Sequence, residues 1–131
     1  MKQFIFLTIF FTIGLNYSCD KQDDTVVQDK FNTVVKFITP NENQKFLKGD
    51  TIHIQADITS DVSMHGYEIL LYTSLKDTMI IAGKHTHGQS IHVDEIWVVD
   101  RNVAQTIEID MVALIDHLGN NLSKKRKVSC N

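Results

Sequence analysis

The sequence predicts an all-β domain, a single antiparallel β-sandwich of about seven strands spanning residues 31–131. Three observations carry that expectation. Apolar and polar residues alternate at a period of two along most of this stretch, the spacing of a half-buried strand and not of a helix. Clusters of Asn, Asp, Gly and Lys interrupt the alternation at intervals that suit short strands. Residues 31–131 also make up one domain's length of chain, enough to bury a real core.

Residues 1–30 stand outside the pattern. Lys2 and the apolar run at 4–15 form a positive n-region and an h-region too short to cross a bilayer as a lasting helix. The run ends in Asn16, Tyr17, Ser18 and Cys19, which resembles a lipoprotein signal. That resemblance implies that residues 1–18 are removed and Cys19 becomes the lipidated N-terminus. Residues 19–30 are polar and charged with no apolar period, so they read as an acidic tether that cannot bury enough surface to order itself. Within the tether, Lys21, Asp23 and Asp24 resemble the export signal of Bacteroidota lipoproteins destined for the outer face of the outer membrane. The implied address is a lipid-anchored, surface-exposed position with the membrane as one partner.

Without Lys2 the chain carries 12 basic and 16 acidic side chains, a formal charge of −4. The one basic cluster, "KKRK" at 124–127, is local, so nothing resembles the stripe that nucleic-acid binding needs. With Cys19 lipidated, the second of the two cysteines, Cys130, has no intramolecular partner. One residue from the end of the chain, it reads as a harmless free thiol that is easy to oxidise, with crosslinking as the alternative.

The strands follow in order. "NTVVKFITP" opens the set and is stopped by Pro40, the sole proline. In "DTIHIQADI", Ile52, Ile54, Ala56 and Ile58 alternate with His53, Gln55 and Asp57. "GYEILLYTS" and "TMIIAG" are two more, separated by "LKD". "SIHVDEIWVVD" loses its alternation near Glu95, which suggests a bulge there. In "QTIEIDMVALI", Ile107, Ile109, Met111, Ala113 and Ile115 share a face opposite Glu108 and Asp110. "NLSKKRKVS" closes the set, and its basic residues suit an edge strand. Asp61 and Gly88-Gln89 read as turns between strands. Trp97 sits in an apolar strand stretch and reads as core more readily than as a platform for ligand, and Tyr67 and Tyr72, the other candidates for such a platform, belong to a strand that must cover the core.

Two phrases add a resemblance. "ITPNENQKFLKGDTIHIQADI" and "MVALIDHLGNNLSKKRKV" resemble the first strands and the last hairpin of bacterial immunoglobulin-like domains. In the second phrase Gly119 suits a positive φ, and Asp116 suits hydrogen bonds to turn amides. The whole is similar to immunoglobulin-like lipoprotein domains of the Bacteroidota, which implies a fold and an address but no activity.

The sharpest chemical feature is "KHTHGQSIH". If Gly88-Gln89 is a two-residue hairpin loop, His85 faces His92 across the ladder, and His85, His87 and His92 project together with Asp94. Directly opposed residues lie within reach of a shared ion, and such a set holds Zn²⁺ or Cu²⁺. His65 joins them if "SMHGYE" packs alongside. The competing reading is that these histidines only supply the polar face of a hairpin. A one-residue slip would also send His92 to the other side. His53 and His117 read as isolated surface or turn residues.

No catalytic pattern emerges. "HTH" resembles part of a cupin metal motif, but Met79 stands where that motif has glycine, Glu95 comes too late, and no Pro-x-Gly precedes His117. Ser90, His92 and Asp94 lie along one strand, whereas a triad gathers separated segments. The expectation is therefore a non-catalytic binding or display domain at the outer membrane, with a protein or glycan partner. The alternatives are a Zn²⁺- or Cu²⁺-binding lipoprotein and a carbohydrate-binding accessory domain. No other cofactor is indicated.

Overall fold

The computed structural model describes residues 31–74, 76–100 and 104–131; the leader, Cys19 and the tether lie outside the described residues. Within them the chain forms β1 (Val34–Thr39), β2 (Gln44–Phe46), β3 (Thr51–Thr73), β4 (Thr78–Val98), β5 (Gln105–Leu114) and β6 (Asn121–Cys130). No helix among the described residues is long and apolar enough to cross a membrane. Every stretch expected to be a strand is one, but two pairs of them are continuous. "DTIHIQADI" and "GYEILLYTS" belong to β3, while "TMIIAG" and "SIHVDEIWVVD" belong to β4.

These two long strands form one antiparallel hairpin, paired from Thr51↔Val98 to Tyr72↔Thr78. Its midpoint bends. Thr59 pairs with Ser90 and Met64 with Gly88, so β3 spends residues 60–63 opposite Gln89 alone. Side chains replace the missing ladder bonds there: Gln89 Nε2 donates to the Asp61 carbonyl at 3.0 Å, and Asp61 Oδ1 accepts from the Asn32 amide at 3.1 Å. The turns expected at Asp61 and Gly88-Gln89 are therefore the corner of a folded hairpin and do not end either strand.

The bend lets one hairpin contribute to both layers. The first half of β3 lies between β1 and the second half of β4; its second half lies between β5 and the first half of β4. β6 follows β5, and β2 pairs in parallel with the end of β6. Ile52, Ile54 and Ile58 from one half meet Ile69, Ile107, Ile109 and Met111 from the other in a single core, all fully buried. Each such side chain stabilises the fold by about 1.5–3 kcal/mol relative to exposure. Trp97 and Tyr67 belong to this core, as expected.

Three local expectations need correction. The ladder runs without a break past Glu95, so there is no bulge there. Instead Glu95 takes an inward position in line with Ile91, Val93 and Trp97, and the Tyr67 hydroxyl donates to its carboxylate at 2.7 Å. Ile96 and Val98 face outward and are exposed, which is why the alternation looked broken. Cys130 is not an accessible end residue: it is 1% exposed, inside the core, and burial pushes its thiol pKa up. Neither ready oxidation nor crosslinking fits that position. Finally, β6 is an edge only in part, because β2 covers residues 128–130.

Candidate metal centre

At the far side of the corner, Met64 pairs with Gly88 but Gly66 pairs with His85. One residue of β3, His65, thus opposes two of β4, Thr86 and His87, which is a β-bulge. Gly66 is what permits it. Its φ is +142°, and a Cβ placed there would lie 2.1 Å from the Lys84 carbonyl oxygen, closer than any side chain tolerates. The two backbones close up, and His65 is carried against β4.

His85 and His87, two apart on one strand, have ring centroids 4.6 Å from each other. The His65 ring lies 4.7 Å from His87 and 5.9 Å from His85. The ligand nitrogens of the three all fall within 4.8 Å of one another. A fourth ring arrives from the β5–β6 turn. β5 pairs with β3 up to Leu114↔Gly66, so the following residues emerge beside the bulge, and His117 packs 3.9 Å from His65. The turn itself is held by Asp116, whose Oδ1 accepts from the Leu118 and Asn120 amides at 2.9 and 3.1 Å. Gly119 takes φ +90°, as the sequence expectation required.

The electrostatics favour a neutral His65 ring. Burial lowers the pKa of His65, the nearby His117, His87 and His85 lower it further, and Asp116 partly opposes them. His65 Nδ1 is fully buried with no hydrogen-bond partner. A polar atom in that position gains from finding a partner. Around a tetrahedral ion with bonds of ~2.0–2.1 Å, ligand nitrogens sit ~3.3 Å apart. Modest rotations of imidazoles about soft torsions cover the difference. The donor set fits a borderline transition-metal cation.

Of the residues singled out in the sequence, His65, His85 and His87 come together, and His92 and Asp94 do not join them. The expected pairing of His85 with His92 fails because β4 continues through Gly88-Gln89. His92 instead faces Asp57, with its Nδ1 2.8 Å from the carboxylate, and Asp94 accepts from Gln55 Nε2 at 3.1 Å. His117, read as an isolated turn residue, is part of the cluster. Two signals pointed towards the arrangement: an isolated glycine inside a strand at Gly66, which marks a bulge or close approach, and the Asp116–Gly119 turn. His53 stays exposed and apart.

Outside the cluster the surface is shallow. An open groove of about 230 Å³ is lined by Tyr72, Thr73, Ser74, Thr106, Glu108 and Lys127. Tyr72 is half-buried, with Lys125 Nζ 4.9 Å from its ring centroid.

No protein-family model and no curated protein matches the sequence. In structure the chain is similar to the fibronectin(III)-like modules of Clostridium thermocellum CbhA, at TM-score 0.52 and 15% identity over 74% of this chain and 94% of that one. It is also similar to a Niemann-Pick type C2 protein from Japanese carpenter ant, at TM-score 0.50 and 13% identity over 76% and 89%. At such identities the likeness concerns the fold alone: this chain carries an immunoglobulin-like β-sandwich.

Proposed function

We propose that the protein is a lipid-anchored, non-catalytic metal-binding domain, held at the outer membrane through Cys19, in which His65, His85 and His87 bind one Zn²⁺ or Cu²⁺ ion. The observation that carries this reading is the convergence of three imidazoles from two strands at a bulge, with the buried Nδ1 of His65 left unpartnered. Neutral nitrogen donors without thiolates suit those ions better than Ca²⁺ or Mg²⁺. The sandwich supports the non-catalytic part only as a scaffold, because one fold hosts many activities.

The test is calorimetric titration of the full chain in detergent with Zn²⁺ and Cu²⁺, beside a His65→Ala/His85→Ala/His87→Ala variant. One equivalent bound at micromolar affinity or tighter, and lost in the variant, is the expected result. Equal, weak uptake by both proteins would instead leave a display domain whose partner meets its outer surface. The anchor is tested separately: Cys19→Ala should move the protein from the membrane fraction to the soluble fraction, and an unchanged distribution would remove lipidation from the proposal.

A further inference from the structure

We propose that His117 is the fourth protein ligand, which closes the centre to outside molecules and makes it a site for holding an ion and not for activating water. This rests on the three-histidine reading above and adds a residue from a third element of the fold. The His117 ring is the nearest neighbour of His65 in the cluster, at 3.9 Å, and lies 6.3 Å from His85 in a nearly parallel orientation, with 17° between the planes. Its nitrogens stand outside the 4.8 Å set formed by the other three, and a turn of the His117 ring towards that set completes a group in which β3, β4 and the β5–β6 turn each contribute at least one imidazole. A three-histidine centre keeps an open position for water or substrate, whereas four protein ligands fill a tetrahedron.

Asp116 does not compete for that place. Its Oδ1 accepts two turn amides and its Oδ2 accepts the Asn120 side-chain amide at 2.5 Å. The carboxylate is committed to shaping the turn that presents His117. Its charge remains close enough to His65 to act on it, so it offsets part of the ion's double charge without binding it. Four neutral donors with a negative neighbour describe a site selective for Zn²⁺, Cu²⁺ and their borderline relatives over hard cations.

The experiment uses Co²⁺ as a spectroscopic probe on the full chain in detergent, comparing wild type with His117→Ala and His117→Gln. Circular dichroism and metal-free melting would confirm that both variants remain folded. The expected wild-type spectrum is the intense visible band of a four-coordinate ion, unchanged by added azide. The variants should bind at least about tenfold more weakly, and azide should shift their spectra by entering the vacated position. Variants with wild-type affinity and spectrum would overturn the role of His117 while leaving the three-histidine centre intact. A wild type that takes up neither Co²⁺ nor Zn²⁺ would overturn the underlying reading, and this one with it.

Discussion

The two halves of the β3–β4 hairpin carry histidines in opposite circumstances. From Thr51↔Val98 to Thr59↔Ser90 the register never shifts, and His92 meets Asp57 directly across the ladder. Both partners are at least half exposed, so their hydrogen bond is a solvated surface pair. Beyond the corner the register slips at Met64/Gly66 and again at Ile69/Leu70. There three imidazoles meet one another with no carboxylate hydrogen-bonded between them. A regular ladder sets residues in rows and lets each find a cross-strand partner. A bulge inserts an unpaired residue into one strand, adds twist and re-aims the side chains around it. Binding geometry, on this comparison, is made by the irregular half, and the regular half supplies the rigid frame.

The sharpest way to break the comparison is at the glycines. Gly66→Val adds a β-branched side chain at φ +142° and against the Lys84 carbonyl, so it should destabilise the fold by about 3–5 kcal/mol in urea unfolding. Gly88→Ala meets nothing closer than the Ser90 carbonyl oxygen at 3.4 Å and should cost under about 1 kcal/mol. Equal losses would mean that the bulge is not the tight point.

A middle-sized effect is expected where the halves are joined across the core. Tyr67→Phe leaves the Glu95 carboxylate without the hydroxyl it accepts from, and should cost about 1–3 kcal/mol. Burial, then the bond and charge of Glu95, push the Tyr67 pKa up to about 12. A folded value above the unfolded one means that this stabilisation is full below about pH 10 and is lost as pH rises towards 12. Wild type should therefore lose stability in that window more steeply than Tyr67→Phe does, as urea midpoints at pH 9 and above would show.

The smallest effect belongs to the regular half. His92→Ala should change stability by no more than about 1 kcal/mol, because its partner is exposed, and should leave metal affinity untouched. A tenfold loss of Zn²⁺ affinity in that variant would place His92 in the centre after all.

The sequence made the β-architecture readable because a period of two survives at almost every buried position, from Ile52 to Ile109. It also marked the Asp116–Gly119 turn. The continuity of β3 and β4 was not readable, since Asp61 and Gly88-Gln89 carry the same chemistry whether a strand ends or bends. The candidate site depends on register, and register was set by tertiary contact at Gly66, not by local pattern. That is why His85 and His87 were found together while His92 and His117 exchanged roles. Glu95 misled for a related reason: an inward acid is legible as core only once Tyr67 is known to lie opposite. Cys130 was misjudged from its nearness to the end of the chain, when its ladder partners, Phe46 and Gln105, decide its burial.

That pairing has a bearing on how the protein comes into being. The amide of Asn131 donates to the carbonyl of Phe46 at 3.0 Å, so β2 is paired only once β6, far along the chain, is in place. At ~5–20 residues per second on the ribosome, β2 spends seconds without its partner strand. Such long-range closure slows folding and leaves edges open to chaperones. A fold whose second strand closes against its sixth keeps one edge unfinished for as long as the residues between them take to emerge.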